Sequence, residues 1–276
     1  MKTILVLTDL TKKSENAALY ALKLAENMDA NIILYHSFKV FQTLVMPETG
    51  MWPAEDYNVF EHECLVQLKK LADRMAKHHQ PGNFKRAINV YCETGELGAR
   101  VARLVNDRNI EIVVMGAKSD DILSHILFGS ETTSVLDEVK CPILFIPDQC
   151  SFHPYKTIVY STDLKKAYPK AVGFLVEIAG LKNSDIIITH VGETGTFTQG
   201  QALDLIKNIF EYPHVTYRQI PQGNISEQLN KFTNLVQADL IVMIHHQHTL
   251  LGEIIPGSNS KKMLYSHKTP LLILPD

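Results

Sequence analysis

Short apolar runs recur along the chain and alternate with stretches of helical period. The first half carries Ile4-Leu5-Val6-Leu7, Ile32-Ile33-Leu34-Tyr35, Ile112-Val113-Val114-Met115 and Ile143-Leu144-Phe145-Ile146. The second half carries Ile158-Val159-Tyr160, Ile186-Ile187-Ile188, Leu240-Ile241-Val242-Met243 and Leu271-Leu272-Ile273-Leu274. After the first run, Ala17, Ala18, Ala21, Leu22, Leu24 and Ala25 repeat near the 3.6 period of an amphipathic helix. Nearly continuous apolar runs predict strands buried on both faces. Their alternation with helices predicts a parallel sheet with crossover connections, an α/β fold.

The pattern occurs twice, in register. Asp9 to His36 spans 27 residues, as does Asp163 to His190. Gly95 to Gly129 spans 34, as does Gly223 to Gly257, and Pro142 and Pro270 each lie 13 residues past the later glycine. Each copy opens with an apolar strand ending in Thr-Asp and closes with an apolar strand ending in proline (Pro147, Pro275). The first copy holds 26 extra residues, all between positions 37 and 94. A period this long is a domain and not a solenoid repeat. Two domains are expected, 1–150 and 151–276, each large enough for its own core.

Composition narrows the class. The net charge of −3 gives no nucleic-acid footprint, and no apolar run reaches membrane-spanning length. The opening residues turn acidic too soon for a signal peptide and read as a first strand. Cys64, Cys92, Cys141 and Cys150 fall in different elements with no CxxC pair, which suits a reducing cytoplasm. The pair nearest in sequence, Cys141 and Cys150, is not expected to bond.

The first copy reads Gly116-Ala117-Lys118-Ser119, nine residues, then Gly129-Ser130. This resembles the loop G-x2-G-x9-G-(S/T) of ATP-binding universal stress proteins, and the order of elements along nearly the whole chain is similar to two such domains in tandem. The resemblance implies two Rossmann-like domains of the adenine nucleotide alpha-hydrolase-like type, each a five-stranded parallel sheet with helices on both faces. Ligands of such sheets bind at the carboxyl ends of the strands, where strand order reverses. It further implies ATP as ligand, with Gly116, Gly129, Ser130 and Thr132 at phosphates and ribose. Asp9 would lie beside the adenosine, Thr8 and Ser37 would line the base, and Met115, Lys118, Ser119 and Glu131 would complete the site. In single-domain relatives the final strands pair across a dimer. Here Pro142 to Pro147 and Pro270 to Pro275 are expected to pair within one chain as a pseudo-dimer, with further homodimerisation left open.

The chemistry of that loop follows from its residues. Glycine allows backbone N–H groups close approach to a triphosphate and tolerates positive φ. Ser130 can cap the helix that starts near Glu131, whose N-terminus offers free N–H groups and partial positive charge. The plainer alternative makes Gly116 and Gly129 turn glycines and Ser130 a simple cap. Ser119 departs from the family's second glycine, and its side chain either bonds phosphate or obstructs it. Asp120 and Asp121 repel a polyphosphate unless Mg²⁺ intervenes or they point away, and Lys118 offsets one of them. A solvated loop is the alternative for all three.

The second copy reads Ile244-His245-His246-Gln247, nine residues, then Gly257-Ser258. Isoleucine resists positive φ, so this copy is not expected to cradle a triphosphate. Asp163 is retained, which leaves a nucleoside or other small ligand open. His245, His246 and His248, with distant His267, invite a metal, but no cysteine or carboxylate pair completes a sphere, and a histidine-rich surface loop is expected instead.

The extra segment is apolar (Phe38, Phe41, Leu44, Val45, Met46, Met51, Trp52, Tyr57) and is expected to cover the first site or to pack on another surface. The stripe Phe60, Cys64, Leu68, Leu71 and Met75 in the next helix is expected in the core. Three functions remain: a cytoplasmic nucleotide-binding regulator with a protein partner not named by the sequence, a slow ATPase or phosphotransferase, and a nucleotide-free scaffold. The chain has no Walker lysine motif, SGGxDS loop or HIGH signature, which leaves the enzyme reading without a recognised constellation.

Overall fold

The computed structural model describes residues 2–38, 54–78, 87–117, 130–163, 168–192, 207–208, 211–245 and 269–276. The elements in chain order are β1 (Thr3–Leu7), α1 (Lys12–Met28), β2 (Asn31–Phe38), α2 (Ala54–Lys77), β3 (Ile88–Thr94), α3 (Leu97–Arg108), β4 (Ile112–Gly116), α4 (Ser130–Glu138) and β5 (Ile143–Ile146). There follow β6 (Thr157–Ser161), α5 (Pro169–Gly180), β7 (Asp185–Val191), β8 (Val215–Ile220), α6 (Ile225–Leu235), β9 (Leu240–His245) and β10 (Leu271–Pro275). The strands fall on the predicted apolar runs, and the α/β class with mainly parallel strands is observed.

Contacts divide the chain into two compact units, Met1–Gly116 with Phe128–Lys140, and Ala117–Leu127 with Cys141–Asp276. Unit 1 orders its strands β3-β2-β1-β4, all parallel. Unit 2 orders its strands β5-β10-β9-β6-β7-β8. All its neighbours are parallel except β5 and β10, which run antiparallel with Leu271 opposite Phe145 and Ile273 opposite Ile143. The expected pairing of the two closing strands is therefore present. It places β5, which ends the first copy in chain order, among the strands of unit 2.

Burial explains the elements. β1, β5 and the first five residues of β9 are buried at every position, as strands covered on both faces must be. Helix α1 buries the predicted face, with Ala17, Ala18, Ala21, Leu22 and Ala25 at zero exposure. Each leucine there contributes about 1.5–3 kcal/mol. A larger side chain at Ala21 has no room and would cost about 1–3 kcal/mol. Helices α1 and α3 end alike: Asp29 (φ 51°) and Asn109 (φ 48°) take the left-handed conformation and donate their N–H to Ala25 O and Val105 O. Short polar side chains tolerate that conformation, and the chain leaves directly into the next strand.

Neighbouring residues of β3 show how unit 1 covers both faces. Cys92 forms a disulfide with Cys64 of α2, while Glu93 pairs with Arg103 and Arg100 of α3. Successive strand side chains point to opposite faces, so α2 and α3 lie on opposite sides. The disulfide corrects the expectation of unpaired cysteines. Sequence reading had no contact to link the two, since 28 residues separate them. Cys141 and Cys150 are buried and not disulfide-bonded, as expected. Phe60 is a second correction: it is 48% exposed, while Cys64, Leu68, Leu71 and Met75 are buried. The core stripe of α2 thus begins one turn later than its apolar spacing suggests. Among the described residues, no helix is long and apolar enough to cross a membrane.

Candidate functional site

In unit 1 the chain passes from β1 to β2 on one side and later to β4 on the other. Strand order reverses between β1 and β4, which opens a crevice at their carboxyl ends. Leu7 lies opposite Met115 in register, so Thr8 and Asp9 leave β1 where Gly116 ends β4. The structure thus brings Thr8, Asp9, Met115 and Gly116 together. A Cβ built on Gly116 would meet Lys13 O at 3.7 Å, Ser14 Cα at 3.8 Å and Ala17 Cβ at 3.9 Å, all ordinary contacts. The end of β4 therefore lies against the first turn of α1. The φ of Gly116 is not positive, so the glycine is not demanded by backbone conformation.

The turn from β1 into α1 is closely wired. Thr8 N–H donates to Tyr35 O at 3.0 Å. The hydroxyls of Thr8 and Ser14 lie 2.8 Å apart, and Leu10 N–H donates to Thr8 Oγ1 at 3.0 Å. Thr11 donates twice to Asp9 Oδ1, from its N–H at 3.1 Å and its hydroxyl at 2.6 Å. Thr11 also caps α1 by accepting from Ser14 N–H at 3.4 Å, and Ser14 Oγ donates to Thr11 O at 3.0 Å. Partial burial pushes the Asp9 carboxyl upward, but the hydrogen bonds from Thr11 and Ser14 outweigh it and hold the pKa below its ordinary value. Asp9 is therefore an ionised carboxylate fixed in an Asx turn. Thr11 and Ser14 were not singled out from the sequence. Their signal was Thr-Asp followed two residues later by a threonine at a helix start, an Asx turn running into an N-cap.

Ser37 lies one residue before the end of β2, opposite Glu93, and its hydroxyl donates to Gly95 O at 2.8 Å, tying it to the β3–α3 turn. The same edge carries Tyr35, whose hydroxyl donates to Glu93 Oε1 at 3.1 Å and whose ring stacks on Tyr91. Burial, then the charge of Glu93, push the Tyr35 hydroxyl pKa up, so it stays a neutral donor. Ser130, Glu131 and Thr132 form the first turn of α4, with Ser130 and Glu131 exposed and Thr132 half-buried. Ser130 is the first described residue of this helix, near the expected start. Gly98 sets the position of α4 against α3, since a Cβ on it would lie 2.1 Å from Ser134 Oγ. Lys118, Ser119, Asp120, Asp121 and Gly129 lie outside the described residues.

Unit 2 repeats the frame. Strand order reverses between β6 and β9, and Thr162 N–H donates to Thr189 O at 3.0 Å. Where β4 ends in a glycine, β9 continues: Ile244 is buried and pairs with Leu274, and His245 pairs with Pro275. His245 is half-buried, whereas His246, His248, Gly257 and His267 lie outside the described residues. Among the described residues, no three His, Cys, Asp or Glu side chains are grouped to hold a metal ion.

The sequence profile of the Universal stress protein family matches residues 1–147, just over half of the chain. A universal stress protein of Methanocaldococcus jannaschii is 24% identical over 149 residues, covering 52% of this chain and 81% of the relative. One from Synechocystis is 21% identical over 289 residues, covering 99% of both. The crystal structure of a universal stress protein from Archaeoglobus fulgidus superposes with a TM-score of 0.72 at 16% identity, over 99% of this chain and 98% of that one. The match to the family profile over more than half of the chain settles the assignment: the chain belongs to the universal stress protein family.

Proposed function

We propose that unit 1 binds an adenine nucleotide, ATP in the first place, at the carboxyl ends of β1 and β4, and that binding regulates rather than catalyses. The observation that carries this reading is the wired Thr8–Ser14 turn facing Gly116 across the strand-order reversal. That reversal is where open α/β sheets take their ligands. Thr8, Asp9, Ser37 and Met115 form the nucleoside side of the reading. Gly116, Lys118, Ser119, Gly129, Ser130, Glu131 and Thr132 form the phosphate side, with the N-terminus of α4 as anion acceptor. Where the aspartates at 120 and 121 approach the polyphosphate, Mg²⁺ is the natural counter-ion.

The regulatory role is supported by Asp9. Its Oδ1 is committed to Thr11, so this carboxylate is a turn-former before it is a base. Unit 2 serves as the structural partner, since β9 continues through the buried Ile244 where β4 ends at Gly116. The protein acts in the cytoplasm and signals through a protein partner.

The test is to purify the protein, analyse the nucleotide that travels with it, and measure ATP affinity and turnover. The expected result is bound adenine nucleotide without turnover, abolished by Gly129→Val and retained in Gly257→Val. No adenine nucleotide binding at millimolar ATP would overturn the reading. Equal effects of the two valines would remove the asymmetry between the units. Turnover that disappears with Asp9→Ala would make the protein an enzyme.

A further inference from the structure

His36 and His190 stand at the same place in the two copies and make the same bond. His36 Nδ1 lies 2.7 Å from Thr8 O, and His190 Nδ1 lies 3.0 Å from Thr162 O. Each bond follows the last backbone link of its ladder, Thr8 N–H to Tyr35 O and Thr162 N–H to Thr189 O, both at 3.0 Å. In unit 1 the chain beyond that link turns into α1, and in both copies the carbonyl just before the aspartate meets the histidine instead of a strand. A half-buried backbone carbonyl needs a donor. The imidazole, from the residue that follows the last ladder partner, supplies it.

The bond fixes a protonation pattern. A carbonyl oxygen only accepts, so Nδ1 carries the proton, and the neutral ring has its acceptor lone pair on Nε2. It also fixes the turn. Thr8 is held at its N–H by β2, at its carbonyl by His36 and at its hydroxyl by Ser14 and Leu10 N–H. Asp9 begins from that clamped residue and is closed by Thr11.

We propose that His36 is a positioning residue for nucleotide binding in unit 1. It latches the Thr8 carbonyl and thereby holds the Asp9 turn in its binding geometry; His190 is the same latch in unit 2, without the phosphate loop to serve. This rests on the nucleotide reading of unit 1 for its consequence, though not for the latch itself.

Two measurements separate the parts. In wild-type protein at alkaline pH, nitrogen NMR of the histidine rings is expected to show protonated Nδ1 and bare Nε2 for both His36 and His190. The opposite tautomer at either would overturn the latch, whatever the protein binds. Titration with ATP is expected to show about 5-fold weaker binding for His36→Ala, the equivalent of one net hydrogen bond. His36→Asn, which carries an N–H at the same reach as Nδ1, restores affinity, and His36→Gln does not. His190→Ala loses the matching bond and keeps wild-type affinity. Wild-type affinity in both His36→Ala and His36→Gln would overturn the positioning role, as would equal losses in the His36 and His190 variants. A wild-type protein that binds no ATP overturns the nucleotide reading and leaves the tautomer result to decide the latch. If His36→Ala does not fold, the asparagine and glutamine variants carry the comparison.

Discussion

Leu10 takes a φ of 64°, in the left-handed region that a leucine enters at a cost of about 1 kcal/mol. The Thr8 hydroxyl offsets it by accepting Leu10 N–H, and the strain sits beside the candidate binding residue Asp9, as strain at ligand sites tends to. The aspartate and the helix start were readable in the sequence; the left-handed leucine was not, because nothing in a leucine announces positive φ. Asp9 has a measurable consequence. Its folded pKa lies below the unfolded value of about 3.9. The stability it adds is complete above that value and is lost as pH falls through the folded pKa. Asp9→Asn keeps an Asx acceptor but cannot titrate. Its melting temperature is expected to fall less than that of the wild type as pH drops below about 4. Parallel melting curves for the two proteins across that range would rule the effect out.

Helices α3 and α4 approach closely at Gly98, where an added Cβ would sit 2.1 Å from Ser134 Oγ and 2.6 Å from the Ser134 carbonyl oxygen. Backbone does not yield as a side-chain end does. Gly98→Ala is therefore expected to destabilise by about 1–3 kcal/mol despite the better helix propensity of alanine. Gly173, in α5, is the counterpart: a Cβ there meets nothing within 4 Å. Gly173→Ala is expected to stabilise by about 0.5–1 kcal/mol through propensity alone. Chemical denaturation of both variants checks the pair, and a stabilised Gly98→Ala would disprove the contact. The two glycines look alike in sequence, each inside a helical stretch. Only the neighbouring helix distinguishes them. Phe60 is the same lesson in the other direction: its spacing matched the buried stripe of α2, but spacing reports the face and not where the covering layer ends.

Across the whole molecule, register carried most of what the sequence could tell. The equal spacings from Asp9 to His36 and from Asp163 to His190 became identical side-chain bonds, and the closing strands paired as their position in the two copies requires. Contacts made by single residues at long separation stayed hidden, since no period marks them. Cys64 and Cys92 are the main instance, joining the helix that follows the extra segment to β3. Disulfides are rare in a reducing cytoplasm. There the pair would stand as two packed thiols, and on oxidation it would close the chain between positions 64 and 92 into a covalent ring. Trypsin has targets inside that ring, Lys69, Lys70, Arg74, Lys77, Lys85 and Arg86. A single cut at any of them would leave the oxidised protein running as one band on a non-reducing gel and as two after reductant. The reduced protein, cut at the same place, would give two bands under both conditions, so a single nick records the redox history of the chain.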